Sequence, residues 1–307
     1  MKIKLLSLSA LAFSITLMFA SCKKDNSATT NTDYSSELST QSDDEAQVSS
    51  EVDAVADDAN AAVSTESSMG GRVIADICDA TIEADTVGDV KKLTITYNGT
   101  NCRGNRTRTG AVVISMPKAI HWKDAGAAIT VDIQNLVITR IRDNKSITIN
   151  GTKTITNVSG GLLKDLASRG TITHTVSSNG ITITFPNNTQ RNWQIALQRV
   201  FTYDNGIVIT TTGTHVDGSN TGIVYWGTNR AGNAFTCSIS QPLVVRQDCD
   251  FRIVSGEVIQ ARPAVTATTT FGLDAAGLPV TCPLGVYYFK LVWVGANGNS
   301  HTIIWPY

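Results

Sequence analysis

The sequence predicts an all-β protein, an antiparallel meander or β-sandwich of many strands, preceded by a signal peptide, a disordered acidic tether and one short helix. Three observations predict it. From Arg72 onward Thr, Val, Ile, Gly and Asn dominate, and apolar residues recur at every second position, the period of a strand with one buried face. Turn residues punctuate these runs at short intervals. No alternation of strand-like and helix-like segments appears, which excludes a nucleotide-binding α/β fold.

The N-terminal segment is read first. Lys2 and Lys4 precede an apolar run from Leu5 to Phe19, and the small residues Ala20 and Ser21 stand directly before Cys22. A run this short falls below the ~20 apolar residues needed to span a bilayer, so residues 1–21 read as a signal peptide. The approach to Cys22 resembles a bacterial lipobox, in which the cysteine is lipidated and becomes the mature N-terminus. An ordinary cleaved signal with an incidental cysteine is the alternative. Residues 22–70 then form a lipidated acidic tether. Within it, Ser42-Asp43-Asp44-Glu45 matches a capping box, and Val48, Val52, Val55, Ala59, Ala62 and Val63 fall at helical spacing. The pattern predicts a helix over about 42–64. Its apolar stripe is thin, and an isolated helix of this length is marginal in water, so it should lean on another surface.

Residues 71–307 form the all-β domain. Leu93, Ile95 and Tyr97 alternate with Thr94 and Thr96; Ile129, Val131 and Ile133 alternate with Thr130, Asp132 and Gln134. Asn179-Gly180, between Ile172, His174, Val176 and Ile181, Ile183, Phe185, has the composition of a type I′ hairpin turn. Asp204-Asn205-Gly206 reads as another. Leu162 to Ser168 offers the one helical turn of the domain. The stretches Thr100 to Arg106 and Thr228 to Asn233 echo each other, as polar Gly/Asn/Arg loops opening into alternating strands.

Charge is sorted along the chain. Residues 25–70 hold eleven acidic residues and no Lys or Arg, whereas residues 71–307 hold 21 basic against 15 acidic residues. An acidic tether on a basic domain suggests that the two attract. Nucleic acid is not an expected partner, because no aromatic-basic motif stands out. Besides Cys22 there are five cysteines, an odd number in an oxidising compartment. Cys237 shares strand parity with Phe235 and Ile239, which makes it a core residue. That leaves Cys78–Cys102 and Cys249–Cys282 as disulfides.

Together these features resemble a family of uncharacterised cell-envelope lipoproteins from Bacteroidetes-type bacteria. The residues that carry the resemblance are Ser21 to Asp25, Gln41 to Glu45, Cys102 to Gly110, Gly151 to Asn157, and Gln241-Pro242-Leu243 ahead of Cys249. The resemblance implies location in the cell envelope, anchored by lipid to the outer membrane, and an architecture without an established activity. Asp85-Thr86-Val87 also resembles the acceptor for O-glycosylation in such bacteria.

Candidate chemistry is sparse. Arg103, Arg106 and Arg108 cluster in one loop and suit the sulfate, uronate or phosphate groups of an envelope glycan through bidentate contacts. The same cluster also suits a solvated loop or a dock for the acidic helix. Trp122, beside charged Lys123-Asp124, is the best candidate for an exposed aromatic platform, whereas Trp293, inside the dense run Tyr287 to Val294, reads as core. His121, His174, His215 and His301 show no ligand spacing, and His174 reads as a core histidine. Asp248 and Asp250 flank Cys249 and are expected on one strand face. The sequence therefore points to a non-enzymatic binding or structural module without cofactor or metal, whose partners are the membrane and an envelope glycan or protein. The alternative is a secreted polysaccharide-acting hydrolase using Asp248 or Asp250.

Overall fold

The computed structural model describes residues 40, 44, 48, 51, 52, 54–63 and 77–307, apart from 103, 250, 264, 283–285, 296 and 297 and the side chain of Asn179. Cys22, the capping-box residues Ser42 and Glu45, Arg103 and Asp250 lie outside the described residues. Thr40, Asp44, Val48, Glu51, Val52 and 54–63 are helical and are termed α1. Val48, Val52, Val55, Ala56, Ala59, Ala62 and Val63 are all buried. Ala54 is half-buried and Asp57 and Ala61 are exposed, and these three lie along one narrow stripe at i, i+3 and i+7. α1 is therefore covered on nearly every side. Each buried Val contributes about 1.5–3 kcal/mol relative to exposure.

What covers it is a single antiparallel sheet. Its strands are β1 (Ala80–Asp85), β2 (Val90–Thr100), β3 (Arg106–Pro117), β4 (Ala127–Arg140), β5 (Lys145–Asn157), β6 (Thr171–Thr184), β7 (Gln190–Tyr203), β8 (Ile207–Gly213), β9 (His215–Asp217), β10 (Asn220–Thr228), β11 (Ala234–Arg246), β12 (Arg252–Arg262), β13 (Val265–Leu273), β14 (Tyr288–Val294) and β15 (Ser300–Pro306). Among the described residues each strand pairs with the next in a meander from β1 to β7, and again from β10 to β15. The all-β expectation holds. Of the two arrangements expected, the meander forms, and α1 supplies the layer that a second sheet would supply in a sandwich.

At the middle of the sheet, β8 and β10 share one strand position. β8 pairs with Leu197 to Tyr203 of β7, and β10 pairs with Asn192 to Ile195 of the same strand. The chain between them makes an excursion through β9. Gly213 and Gly222 meet at its base, where a Cβ on Gly213 would lie 2.0 Å from the Gly222 carbonyl oxygen, so no side chain fits there.

The sheet bends around α1. Asp57 and Asp58 are neighbours on the helix, yet they meet Arg199 of β7 and Arg108 of β3. Those strands are four positions apart, about 19 Å in a flat sheet. Bulges supply curvature. In β4 the inward set moves from Ile129, Val131 and Ile133 to Leu136 and Ile138 across Asn135, which takes φ 47°. In β6 it moves from Ile172, His174 and Val176 to Ile181 and Ile183 across Asn179-Gly180, where pairing with β7 slips between Ser178 and Ile181. The expected hairpin at Asn179-Gly180 is thus a bulge inside one continuous strand. The extra residue switches parity, so both halves of β6 keep their apolar residues toward the helix. Asp204-Asn205-Gly206 does form a tight turn, with Tyr203 opposite Ile207 and Asn205 at φ 52°. The helical turn expected at Leu162 to Ser168 is present as a 3₁₀ turn, Leu163–Asp165, running into the short helix α2, Leu166–Arg169.

Candidate functional site

The chemistry of this molecule is concentrated in the seam between α1 and the sheet, where cations on inward-facing strand positions meet the acidic helix. Arg108 is buried in β3. Its Nε and Nη2 donate to Asp79 at 2.7 and 2.6 Å, and its Nη1 donates to Asp58 of α1 at 2.7 Å. Tyr97 donates its hydroxyl to the same Asp58 oxygen at 2.8 Å, and the guanidinium of Arg108 lies 4.3 Å from the Tyr97 ring centroid. Burial opposes the charge on Arg108, but hydrogen bonds to Asp79 and Asp58 outweigh it and hold the guanidinium firmly protonated. Burial, and then the Asp58 carboxylate, push the Tyr97 hydroxyl well above its ordinary range.

Farther along the helix, Arg106 lies 2.9 Å from Glu51, a carboxylate that is only 1% exposed. Burial pushes Glu51 up to about 7, against the opposing pull of Arg106, Arg108 and Arg140. Lys153, also 1% exposed, donates its Nζ to the backbone carbonyl of Val52 at 2.7 Å. Arg230, in the loop between β10 and β11, makes a two-point contact with Asp44 and stacks 3.9 Å over the Phe185 ring centroid. Arg199 approaches Asp57 at 3.9 Å. Cations from three strands and one loop thus converge on one helix.

This arrangement assigns Arg106 and Arg108 to the protein's own acidic helix, the dock rather than a contact for an external glycan. Trp122 requires a correction: it is 1% exposed, and its indole N–H donates to Asn60 of α1 at 2.9 Å. Asn157 fixes the Trp122 loop by donating to the carbonyls of Trp122 and Gly161. The charged neighbours Lys123 and Asp124 gave the misleading signal, because they are exposed while the ring between the strands is not.

His174 is buried, as its parity predicts, with its ring edge-on to Trp122 at 5.2 Å and to Phe201 at 4.9 Å. It borders a cavity of about 20 Å³, room for about one water molecule, shared with Asp57, Asn60, Leu163 and Arg199. Burial, and then Arg199, push His174 down to about 4, so it is neutral at pH 7.

Both expected disulfides form. Cys78–Cys102 and Cys249–Cys282 have Cα separations of 5.2 and 5.0 Å, and Cys237 is a buried thiol on the core face of β11. Asp248 lies in a 3₁₀ turn, Gln247–Cys249, and not on a strand face as expected. Arg246 grips it with two hydrogen bonds, at 2.9 and 2.8 Å, and holds its carboxyl below the ordinary range. Such a carboxylate is ionised and is not a poised acid. Asp248, Cys249 and Cys282 cluster closely enough to suggest metal ligands, but the two sulfurs are bonded to each other. No helix among the described residues is long and apolar enough to cross a membrane.

Lys153, Arg199, Arg230 and Asp79 were not anticipated. A signal existed for two of them. Lys153 shares parity with Ile147, Ile149 and Ile155, and Arg199 with Leu197 and Phe201, so both were aimed at the core. A cation at an inward position needs a buried partner, and the eleven carboxylates of residues 25–70 were the available supply. No family model, curated protein or solved structure matches the chain.

Proposed function

We propose that this chain is a non-enzymatic module of the bacterial cell envelope, anchored to the outer membrane by lipid on Cys22 and acting as a binding or structural element. One observation carries the non-enzymatic part. The wrapped face of the sheet, where a curled sheet would hold a substrate, is filled by α1, and its cations engage carboxylates of that helix. The acid tuned near neutral pH is Glu51, and it is buried in this seam where no polymer reaches it. The lipid anchor rests on the basic start, the apolar run and the small residues before Cys22.

Metabolic labelling with a fatty-acid analogue should tag the wild type and leave Cys22→Ala unlabelled; equal labelling of both overturns the anchor. A screen of the exported protein against envelope polysaccharides should yield binding without chain cleavage. Release of new reducing ends, lost in Asp248→Asn, would establish a hydrolase instead.

A further inference from the structure

The two edges of the sheet differ in kind. At one edge β1 carries Glu83 and Asp85, both exposed, so a second β1 laid beside it would bring like charges together. At the other edge, β15 pairs only with β14 among the described residues. From Ser300 to Pro306 it has no Asp, Glu, Lys or Arg, and Thr302, Ile303, Ile304 and Trp305 are strong strand formers. Edge strands are normally protected by charge, and this one is not.

Its side chains continue the rows of β14. On the core-facing side Phe289 is opposite Trp305, Leu291 opposite Ile303, and Trp293 opposite His301. Leu291 and Trp293 are buried, Phe289 and Ile303 pack against them, and His301 stacks on Trp293 with centroids 5.1 Å apart and planes 14° apart. Trp305, at the end of the first row, is 60% exposed. Each row thus ends on an apolar or aromatic group with no strand beyond it among the described residues.

We propose that β15 is a self-pairing strand, through which two copies of this chain join antiparallel about a two-fold axis at Ile303. Centring on Ile303 is the register that sets all seven residues opposite one another, Ser300 to Pro306; Thr302 and Ile304 exchange both main-chain hydrogen bonds with the second copy, while Pro306 offers Ser300 its carbonyl only. It sets Ile303 against itself, Trp305 against His301 of the second copy, and Thr302 against Ile304 of the second copy. The rows then close on themselves: Phe289 and Trp305 run on into His301 and Trp293 of the second copy, and the central row is Leu291, Ile303 and their symmetry equivalents. A two-fold interface must be self-complementary, and this strand is: neutral throughout, with its largest exposed ring placed opposite a ring already held flat. The mode is strand addition, in which main-chain hydrogen bonds supply affinity and alternate side chains supply specificity.

The test is sedimentation velocity on the full mature chain carrying Cys22→Ser, across a wide concentration range. That chain, unaltered in β15, should reach twice the monomer mass. Trp305→Lys, at an exposed position, should weaken the dimer about tenfold or more, equivalent to about 1.4 kcal/mol. Ile303→Lys places two ammonium groups face to face on the axis and should leave monomer, whereas mixing Ile303→Lys with Ile303→Glu should restore a heterodimer. Circular dichroism confirms that each variant is folded, and Glu83→Lys at the opposite edge should change nothing. A wild-type monomer at every concentration, or a dimer as strong in Trp305→Lys as in the wild type, overturns the proposal. Failure of the Lys and Glu variants to associate overturns the axis at Ile303.

Discussion

Arg108 connects three parts of the chain that are far apart in sequence: the segment before β1 through Asp79, the strand β2 through Tyr97, and α1 through Asp58. Its removal leaves two carboxylates in a desolvated seam, and breaking a buried pair from one side costs about 3–5 kcal/mol. Arg108→Ala should therefore lower the urea midpoint far more than Arg246→Ala, whose partners Asp204 and Asp248 lie in surface turns away from α1. Exposed pairs of that second kind contribute about 0–1 kcal/mol. Much of this was legible residue by residue. Inward parity marked Leu93, Ile95 and Tyr97, and Ile129, Val131 and Ile133, as core, and these are buried. Trp122 was misread because it sits in a connection, where no alternation assigns a face, and its burial depends on Asn60 arriving from 62 residues away.

At the scale of the element, α1 carries buried Glu51 and faces buried His174, and they respond to pH in opposite directions. Glu51 sits at about 7 in the folded protein against an ordinary 4.5, so the folded state binds its proton more tightly. Its contribution is fullest below pH 4.5 and declines as pH rises toward 7. His174 sits at about 4 against an ordinary 6.5, so its contribution is fullest above pH 6.5 and is lost as pH falls toward 4. Between the two ordinary values the slopes oppose and largely cancel. Each variant should expose the other slope. Relative to wild type, Glu51→Gln should gain stability as pH rises from 4.5 to 7, and His174→Gln should gain as pH falls from 6.5 to 4, both read from urea melts across that range.

The helix itself was expected to lean on the domain through its valines, steered by charge. The structure makes it the centre of the core, continuous with residues from β2 to β7. Val52→Asp with Val55→Asp should therefore abolish amide-exchange protection in 54–63 and in the inward residues of β5 and β7 together. Added salt should leave wild-type protection largely intact, since buried pairs are screened far less than exposed ones. Loss of protection confined to the helix would show that the sheet holds its shape without it.

At the scale of the whole molecule, the disulfides secure the chain at separate places. Cys78–Cys102 ties the segment ahead of β1 to the β2–β3 loop across 24 residues, and Cys249–Cys282 ties the turn after β11 to the chain between β13 and β14 across 33. On the chain-entropy view each contributes about 3–4 kcal/mol. Cys102→Ala and Cys282→Ala should each lower the melting temperature measurably, and iodoacetamide should label buried Cys237 only on unfolding. The two echoing loops also prove to be one device used twice. Asn101 and Asn229 each accept backbone N–H groups at the far side of their own loop, and Gly104 and Gly232 take positive φ. The second of these loops presents Arg230 to Asp44.

The sequence by itself determined the strand class, the inward set of the strands with clear alternation, the helix near residues 42–64, the disulfide partners and the opposition of charge between the two parts. Those properties follow from period, parity and composition, which are local and do not depend on where the strands lie. The tertiary structure alone decided that Asn179-Gly180 is a bulge and not a turn, that the sheet curls around α1, and which cation meets which carboxylate. A bulge and a hairpin turn use the same residues and are distinguished by what pairs on either side. Pairings such as Lys153 with Val52 and Arg230 with Asp44 join residues 101 and 186 positions apart, a separation that no local pattern encodes.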